Sequence, residues 1–205
     1  MSWSIPKQKL VLITLVFCLF NLNAQEKSNI TFRIEPGILL FSESGNLELL
    51  LNVEPKIKIS ENKVIGLRFG VALNSQKFEN NDSAQFNIDD QSDNAVISFV
   101  PTFDYYLNEN NYRPYVGLGV GYYLLSYIDV SPVGSADVLE GSVNNQIGFL
   151  LRGGFEFGKT RLGLEYNLIP KADIELPSGQ IIGTVDSGYL GLSIGFTIGG
   201  RKNQN

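Results

Sequence analysis

The sequence predicts an all-β chain folded as an eight-stranded antiparallel up-and-down β-barrel. Three observations carry that expectation. Beyond the first two dozen residues, apolar and polar positions alternate with period two through eight successive segments. The face opposite the apolar one is built of glycine, small residues and charges of both signs. The connections between segments alternate between short and long. Period two belongs to a strand with one face in apolar surroundings, whereas a helix repeats every 3.6 residues.

Residues 1–24 read as an export signal, ahead of a barrel domain over residues 25–205. Lys7 and Lys9 form a positive start, Leu10 to Phe20 is an apolar run broken only by Thr14, and Asn21-Leu22-Asn23-Ala24 ends on a small residue. The run is too short to span a bilayer as a helix. Cys18 is the only cysteine and follows the bulky Phe17, which does not suit a lipoprotein signal. Cleavage after Ala24 therefore leaves a mature chain without thiol or disulfide chemistry.

The first segment sets Phe32, Ile34, Ile38 and Leu40 against Arg33, Glu35, Gly37 and Leu39. The second sets Leu47, Leu49, Leu51, Val53, Ile57 and Ile59 against Glu48, Leu50, Asn52, Glu54, Lys56 and Lys58. In the third, Ile65, Leu67, Phe69, Val71 and Leu73 alternate with Gly66, Arg68, Gly70, Ala72 and Asn74. The fourth carries Ile97, Phe99, Phe103, Tyr105 and Leu107 against Ser98, Val100, Thr102, Asp104 and Tyr106. Pro36, Pro55 and Pro101 interrupt three of these segments. Proline removes a ladder donor, so local bulges are expected there.

The last four segments are cleaner. Val116, Leu118, Val120, Tyr122 and Leu124 face away from Tyr115, Gly117, Gly119, Gly121 and Tyr123. Ile147, Phe149, Leu151, Phe155 and Phe157 oppose Gln146, Gly148, Arg152, Gly154 and Glu156. Leu162, Leu164, Tyr166 and Leu168 oppose Arg161, Gly163, Glu165 and Asn167. The eighth segment, Tyr189 to Gly199, has Leu190, Leu192, Ile194, Phe196 and Ile198 on one face, with only small or polar residues and Tyr189 on the other.

Ser60–Asn62, Asn108–Asn111 and Gly158–Lys159 are short turns, and Ser42–Asn46 is short as well. Ser75–Asp93, Asp129–Ser142 and Ala172–Asp186 are long, polar and expected to be solvated loops. Outer-membrane barrels place short turns on the periplasmic side and long loops outside, which with eight strands puts both termini in the periplasm.

Alternation alone fits a soluble barrel around a ligand as well as a membrane barrel. The polar face decides between them. Arg33, Lys56, Arg68, Arg152 and Arg161 share it with Glu35, Glu48, Glu54, Asp104, Glu156 and Glu165. Buried charges are tolerable when paired, and glycines such as Gly66, Gly117 and Gly163 on the same face leave them room. A solvated face has no need of so many strand-weakening glycines. The apolar face is therefore expected to meet lipid, and the charges to form a lumen network. Phe103, Tyr105, Tyr112, Phe155, Phe157 and Phe196 near one set of strand ends, with Phe41 and Tyr127 near the other, agree with interfacial aromatic girdles.

The stretch Arg113-Pro114-Tyr115-Val116-Gly117-Leu118-Gly119-Val120-Gly121-Tyr122 resembles a strand common to the small outer-membrane β-barrel proteins of the OmpA, OmpX and OmpW kind. Tyr189, Gly191, Ile194 and Phe196 resemble the last-strand signal read by the barrel-assembly machinery, although nine residues follow Phe196. The resemblance covers essentially the whole mature chain. It implies an outer-membrane protein whose partners are that machinery and outer-membrane lipids, lipopolysaccharide among them. Family members include structural, adhesive and small-solute pore proteins.

The chain contains no histidine. Ser-His-Asp and Cys-His catalysis and histidine metal sites are thereby excluded, and with them the catalytic sets of the outer-membrane enzymes of similar size. The net charge of −5 gives no basic footprint for nucleic acid. Asp82, Asp89, Asp90, Asp93, Asp129, Asp137 and Glu140 in the long connections show no calcium-loop spacing and read as solvated charge. Glu156 and Glu165 form a carboxylate pair without a nucleophile beside them. The expectation is a monomeric, non-enzymatic barrel with a structural or loop-mediated role, with neither cofactor nor metal. The alternatives are a narrow pore for small solutes and a soluble ligand-binding barrel. An eight-stranded lumen is just wide enough for side chains to fill, which favours a plug over a pore.

Overall fold

The computed structural model describes residues 30–40, 48–73, 76–80, 85–88, 94–134 and 138–199. The leader, Phe41 and the acids Asp82, Asp89, Asp90, Asp93 and Asp137 lie outside these residues. The described strands are β1 (Ile30–Leu40), β2 (Leu49–Lys58), β3 (Lys63–Leu73), β4 (Lys77–Asn80), β5 (Phe86–Ile88), β6 (Ala95–Tyr106), β7 (Tyr112–Leu125), β8 (Ile128–Pro132), β9 (Leu139–Val143), β10 (Gln146–Phe157), β11 (Thr160–Leu168), β12 (Ala172–Glu175), β13 (Ile181–Asp186) and β14 (Tyr189–Gly199).

Eight of them close a barrel in the order β1-β14-β11-β10-β7-β6-β3-β2, every ladder antiparallel. These are the eight segments predicted from alternation. The ring closes where β1 meets β14, with Ile34 opposite Phe196 and Ile38 opposite Leu192. At one end tight turns join neighbours. Gly158, at φ 61°, supplies the left-handed residue of the two-residue turn between β10 and β11.

The apolar row points outward. Leu118 keeps 55% of its surface exposed and Leu164 keeps 46%, whereas Arg68 and Arg152 keep 2% and 6%. An outward belt of leucine, isoleucine, valine and phenylalanine over a charged interior inverts the arrangement of a soluble barrel. Each barrel strand runs 9 to 14 residues, enough for the roughly 9–11 that cross hydrocarbon at a tilt.

The expected bulges at proline do not occur. Pro36 pairs with Leu51, Phe32 with Pro55, and Leu67 with Pro101, in constant register. The rings sit on the outward row, so each proline loses ladder pairing on one side only. The opposite neighbour holds the strand straight.

The long connections also differ from expectation. In their described residues they are not solvated loops but six short strands, two from each connection, that join into a second sheet, ordered β4-β13-β12-β9-β8-β5. Its two edges come together where Asn80 Nδ2 donates to the Phe86 carbonyl at 2.8 Å, so the sheet curls into a collar above the barrel. In the β12–β13 turn, Gly179 N donates to the Leu176 carbonyl at 2.8 Å, with Pro177 at the second turn position. The polar residues Asp129, Glu140, Asp173 and Glu175 lie on the exposed face of this sheet, and Ile128, Val130, Val143, Ile174, Ile182 and Val185 on its buried face. Alternation within each short strand explains both. Polar composition described only the outer half of the collar.

Candidate functional site

The lumen holds two stacked layers. Below the collar, its buried residues meet Leu39, Leu50, Val96, Val100, Tyr123, Leu150 and Tyr189, which project inward from the barrel strands. These side chains close the collar end with an apolar layer. Towards the turn end the inward row becomes ionic.

Asp104 of β6 lies at the centre of the ionic layer, fully buried. Lys56 Nζ donates to it at 2.5 Å, Arg152 Nε at 2.8 Å and Arg161 Nη1 at 2.9 Å. Arg152 also grips Glu54 with both terminal nitrogens, at 3.1 and 2.8 Å. Thr102 donates its hydroxyl to the same carboxylate. One guanidinium thus bridges two carboxylates from β2 and β6, the strands that flank β3, and its planar fork holds Glu54 at two points. The Lys56 ammonium spans the same two carboxylates, at 3.4 Å from Glu54 and 2.5 Å from Asp104.

Glu156 forms the lower node. Arg33 donates to it at 2.5 Å, Tyr106 at 2.7 Å, and Arg113 through Nε and Nη2 at 3.0 and 2.5 Å. Arg113 lies over the Tyr106 ring, 3.9 Å from its centroid, and Arg161 over the Tyr115 ring at 3.3 Å. The upper node is Glu165, which accepts from Arg68 and from Asn167 Nδ2 at 3.0 Å, while Asn167 accepts from Tyr123 at 2.8 Å. Glu35 sits between the nodes, with Arg161, Arg68 and Arg33 nitrogens at 3.6, 3.7 and 3.8 Å. These are ion pairs too long for hydrogen bonds.

Ten of the eleven predicted lumen charges therefore meet in one cluster: Arg33, Glu35, Glu54, Lys56, Arg68, Asp104, Arg152, Glu156, Arg161 and Glu165. Glu48 is the exception. It faces inward on the same row, but six residues above Glu54, or about 20 Å along a strand. There its carbonyl accepts from Leu39 N at 3.0 Å, at the level of the apolar layer. Arg113 is the member that the sequence reading missed. Extending the β7 alternation two residues back from Tyr115 places it on the inward row.

The glycines act as predicted, by leaving space. A β-carbon on Gly117 would collide with Asp104 Oδ1, one on Gly66 would stand 2.6 Å from Glu54 Oε1, and one on Gly163 2.7 Å from the Tyr115 hydroxyl. Of the four residues resembling an assembly signal, Tyr189 points into the apolar layer and Gly191 packs beside Leu50 and Glu165. Ile194 and Phe196 lie on the outward belt. Among the described residues, no group of three or more acidic, histidine or cysteine side chains is arranged to hold a metal ion. Glu156 and Glu165 are each engaged by arginine, in separate nodes, so they do not form an acid–base pair.

No protein-family model matches the chain, and no curated protein matches it. Among solved structures it is similar to Neisserial surface protein A, with 12% identity over 82% of this chain and 97% of that one, at a TM-score of 0.41. It is similar to a major outer membrane protein from Thermus thermophilus, with 12% identity, 82% and 99% coverage and a TM-score of 0.45. It is also similar to Ail, the attachment invasion locus protein of Yersinia pestis, with 13% identity, 83% and 99% coverage and a TM-score of 0.39.

Proposed function

We propose that the chain is a non-enzymatic outer-membrane barrel that crosses the membrane by its eight barrel strands, keeps its lumen shut and presents the collar outside the cell. One observation carries this reading: the belt of large apolar side chains lies on the outside, while ten charges are sealed within. Water does not favour a continuous apolar belt of that size on a monomer, and hydrocarbon does. In this reading the short turns face the periplasm and the collar faces outward, with both termini periplasmic; the short-turn and long-connection asymmetry of such barrels supports it. Its partners are then the surrounding lipids, lipopolysaccharide in the outer leaflet, and the assembly machinery that inserts barrels. Its role is mechanical, or lies in what the collar touches.

The two filled layers support a barrel that does not conduct, against the reading as a small-solute pore. Planar-bilayer recording tests this. A silent membrane is the expected result, and discrete stable openings would overturn it. Membrane fractionation tests the location: the protein should resist carbonate extraction, need detergent for release, and show heat-modifiable gel mobility. Release without detergent would reinstate the soluble ligand-binding barrel.

A further inference from the structure

The outer wall is not uniform. A groove of about 500 Å³ opens on it, floored by Val116 and Leu118 of β7. Phe103 and Tyr105 of β6 form one side, and Leu151 of β10 the other. The cross-strand rows over β6-β7-β10 account for the trough: the aromatic rings of Phe103 and Tyr105 stand beside the shorter Leu118 and Val116, and Gly153 leaves the far side of Val116 open. Gly153 extends it. Gly153 is opposite Val116 and is the outward position of β10 without a side chain, in a row that otherwise reads Ile147, Phe149, Leu151, Phe155 and Phe157. A β-carbon there would meet only the Tyr115 carbonyl, at 3.4 Å.

The turn end of the groove is polar. Tyr105 is directly opposite Lys63 in the β3–β6 ladder. Directly opposed residues point to the same side with β-carbons about 5 Å apart. Lys63 is exposed, so a cation stands at the rim beside a phenol, with an apolar trough running from them into the belt. That sequence of chemistries matches the phosphate, ester region and acyl chain of one glycerophospholipid.

We infer that this groove binds a single phospholipid of the leaflet at the turn end. Its phosphate lies on the Lys63 ammonium, its ester region at Tyr105, and one chain along Val116 and Leu118. The inference rests on the membrane reading above and adds a defined site to an otherwise non-specific belt.

The test is native mass spectrometry of the full chain, refolded into vesicles of phosphatidylethanolamine and phosphatidylglycerol containing lipid A, then released in mild detergent. Three proteins are compared: wild type, Lys63→Gln and Val116→Trp. Both substitutions face outward, and heat-modifiable mobility reports folding in each. The wild type is expected to retain one phospholipid per chain. Lys63→Gln should lower retention about fivefold, as loss of one cation at an anionic surface implies, and Val116→Trp should abolish it. Equal retention by all three, no retained lipid in the wild type, or retention of lipid A instead would overturn the site. So would a dimer that Val116→Trp dissolves, which would assign the groove to a second copy. Release of the wild type without detergent sinks the membrane reading itself, whereas a detergent-requiring protein with no bound lipid sinks only this inference.

Discussion

Asp104 accepts from three cations while fully buried, and each of those cations has been drawn out of water to reach it. A pair of this kind gains little over a well-packed apolar replacement. Removing one partner, however, strands the others. Asp104→Ala leaves Lys56 and Arg161 without their closest carboxylate, and is expected to cost about 3–5 kcal/mol. Urea unfolding of the protein in lipid vesicles measures it. Lys58 and Glu61 give the contrast. They also stand 2.5 Å apart, but on the exposed turn between β2 and β3, where solvent competes, so Lys58→Ala should cost no more than about 1 kcal/mol. A Gly117 side chain would collide with the same Asp104 carboxylate. Gly117→Val therefore tests whether the cluster tolerates displacement, and should lower the unfolding midpoint in the same assay.

At the scale of elements, the collar and the upper lumen share one apolar core, separate from the ionic layer below. The collar core is apolar and lies beyond the belt, with Ile174 and Ile182 fully buried. Ile174→Asp places a charge there and should open the collar to externally added proteinase while the barrel keeps its heat-modifiable mobility. Loss of both together would show that the collar holds the barrel shut. On the collar surface, Lys171 Nζ donates to Glu79 at 2.7 Å, joining β4 to the approach to β12. That hydrogen bond and the lysine charge hold the Glu79 carboxyl below the usual carboxylate range. The tie is complete above the ordinary carboxylate value and is lost as pH falls through the lowered one. Lys171→Met should return the Glu79 titration to the ordinary range, read by carboxyl carbon chemical shifts.

The barrel strands were legible because each has one apolar face turned outward and one turned to the lumen. Period two then runs for nine residues or more, and both faces can be read off it. The collar was not legible. Its strands are three to six residues long, too short for alternation to stand out, and their outward acids dominate the composition. Leu39, Leu50 and Val100 were visible as apolar residues on the polar face, and they mark the level at which the lumen changes from ionic to apolar. Which carboxylate meets which guanidinium depends on register between strands distant in sequence, and alternation carries no such information.

For the whole molecule, the direction of the apolar face is the quantity most open to test. Leu164→Arg puts a cation on the belt, where midplane charge costs about 2–4 kcal/mol in a barrel wall. Vesicle unfolding should register that loss. In a soluble barrel with this face in water, the same change would be nearly neutral.

The ionic layer joins parts of the chain that are far apart in sequence. Arg33 meets Glu156 across 123 residues, Arg152 meets Glu54 across 98, and Arg68 meets Glu165 across 97. A half-built ring leaves these long-range pairs unmade, with only the carboxylate across a single ladder in reach, as Glu54 is of Arg33 and Glu165 of Arg152. The penalty falls away only when the last strand docks beside the first. On the membrane reading, insertion is therefore favoured to run to completion, because the ionic layer is whole only in the closed ring.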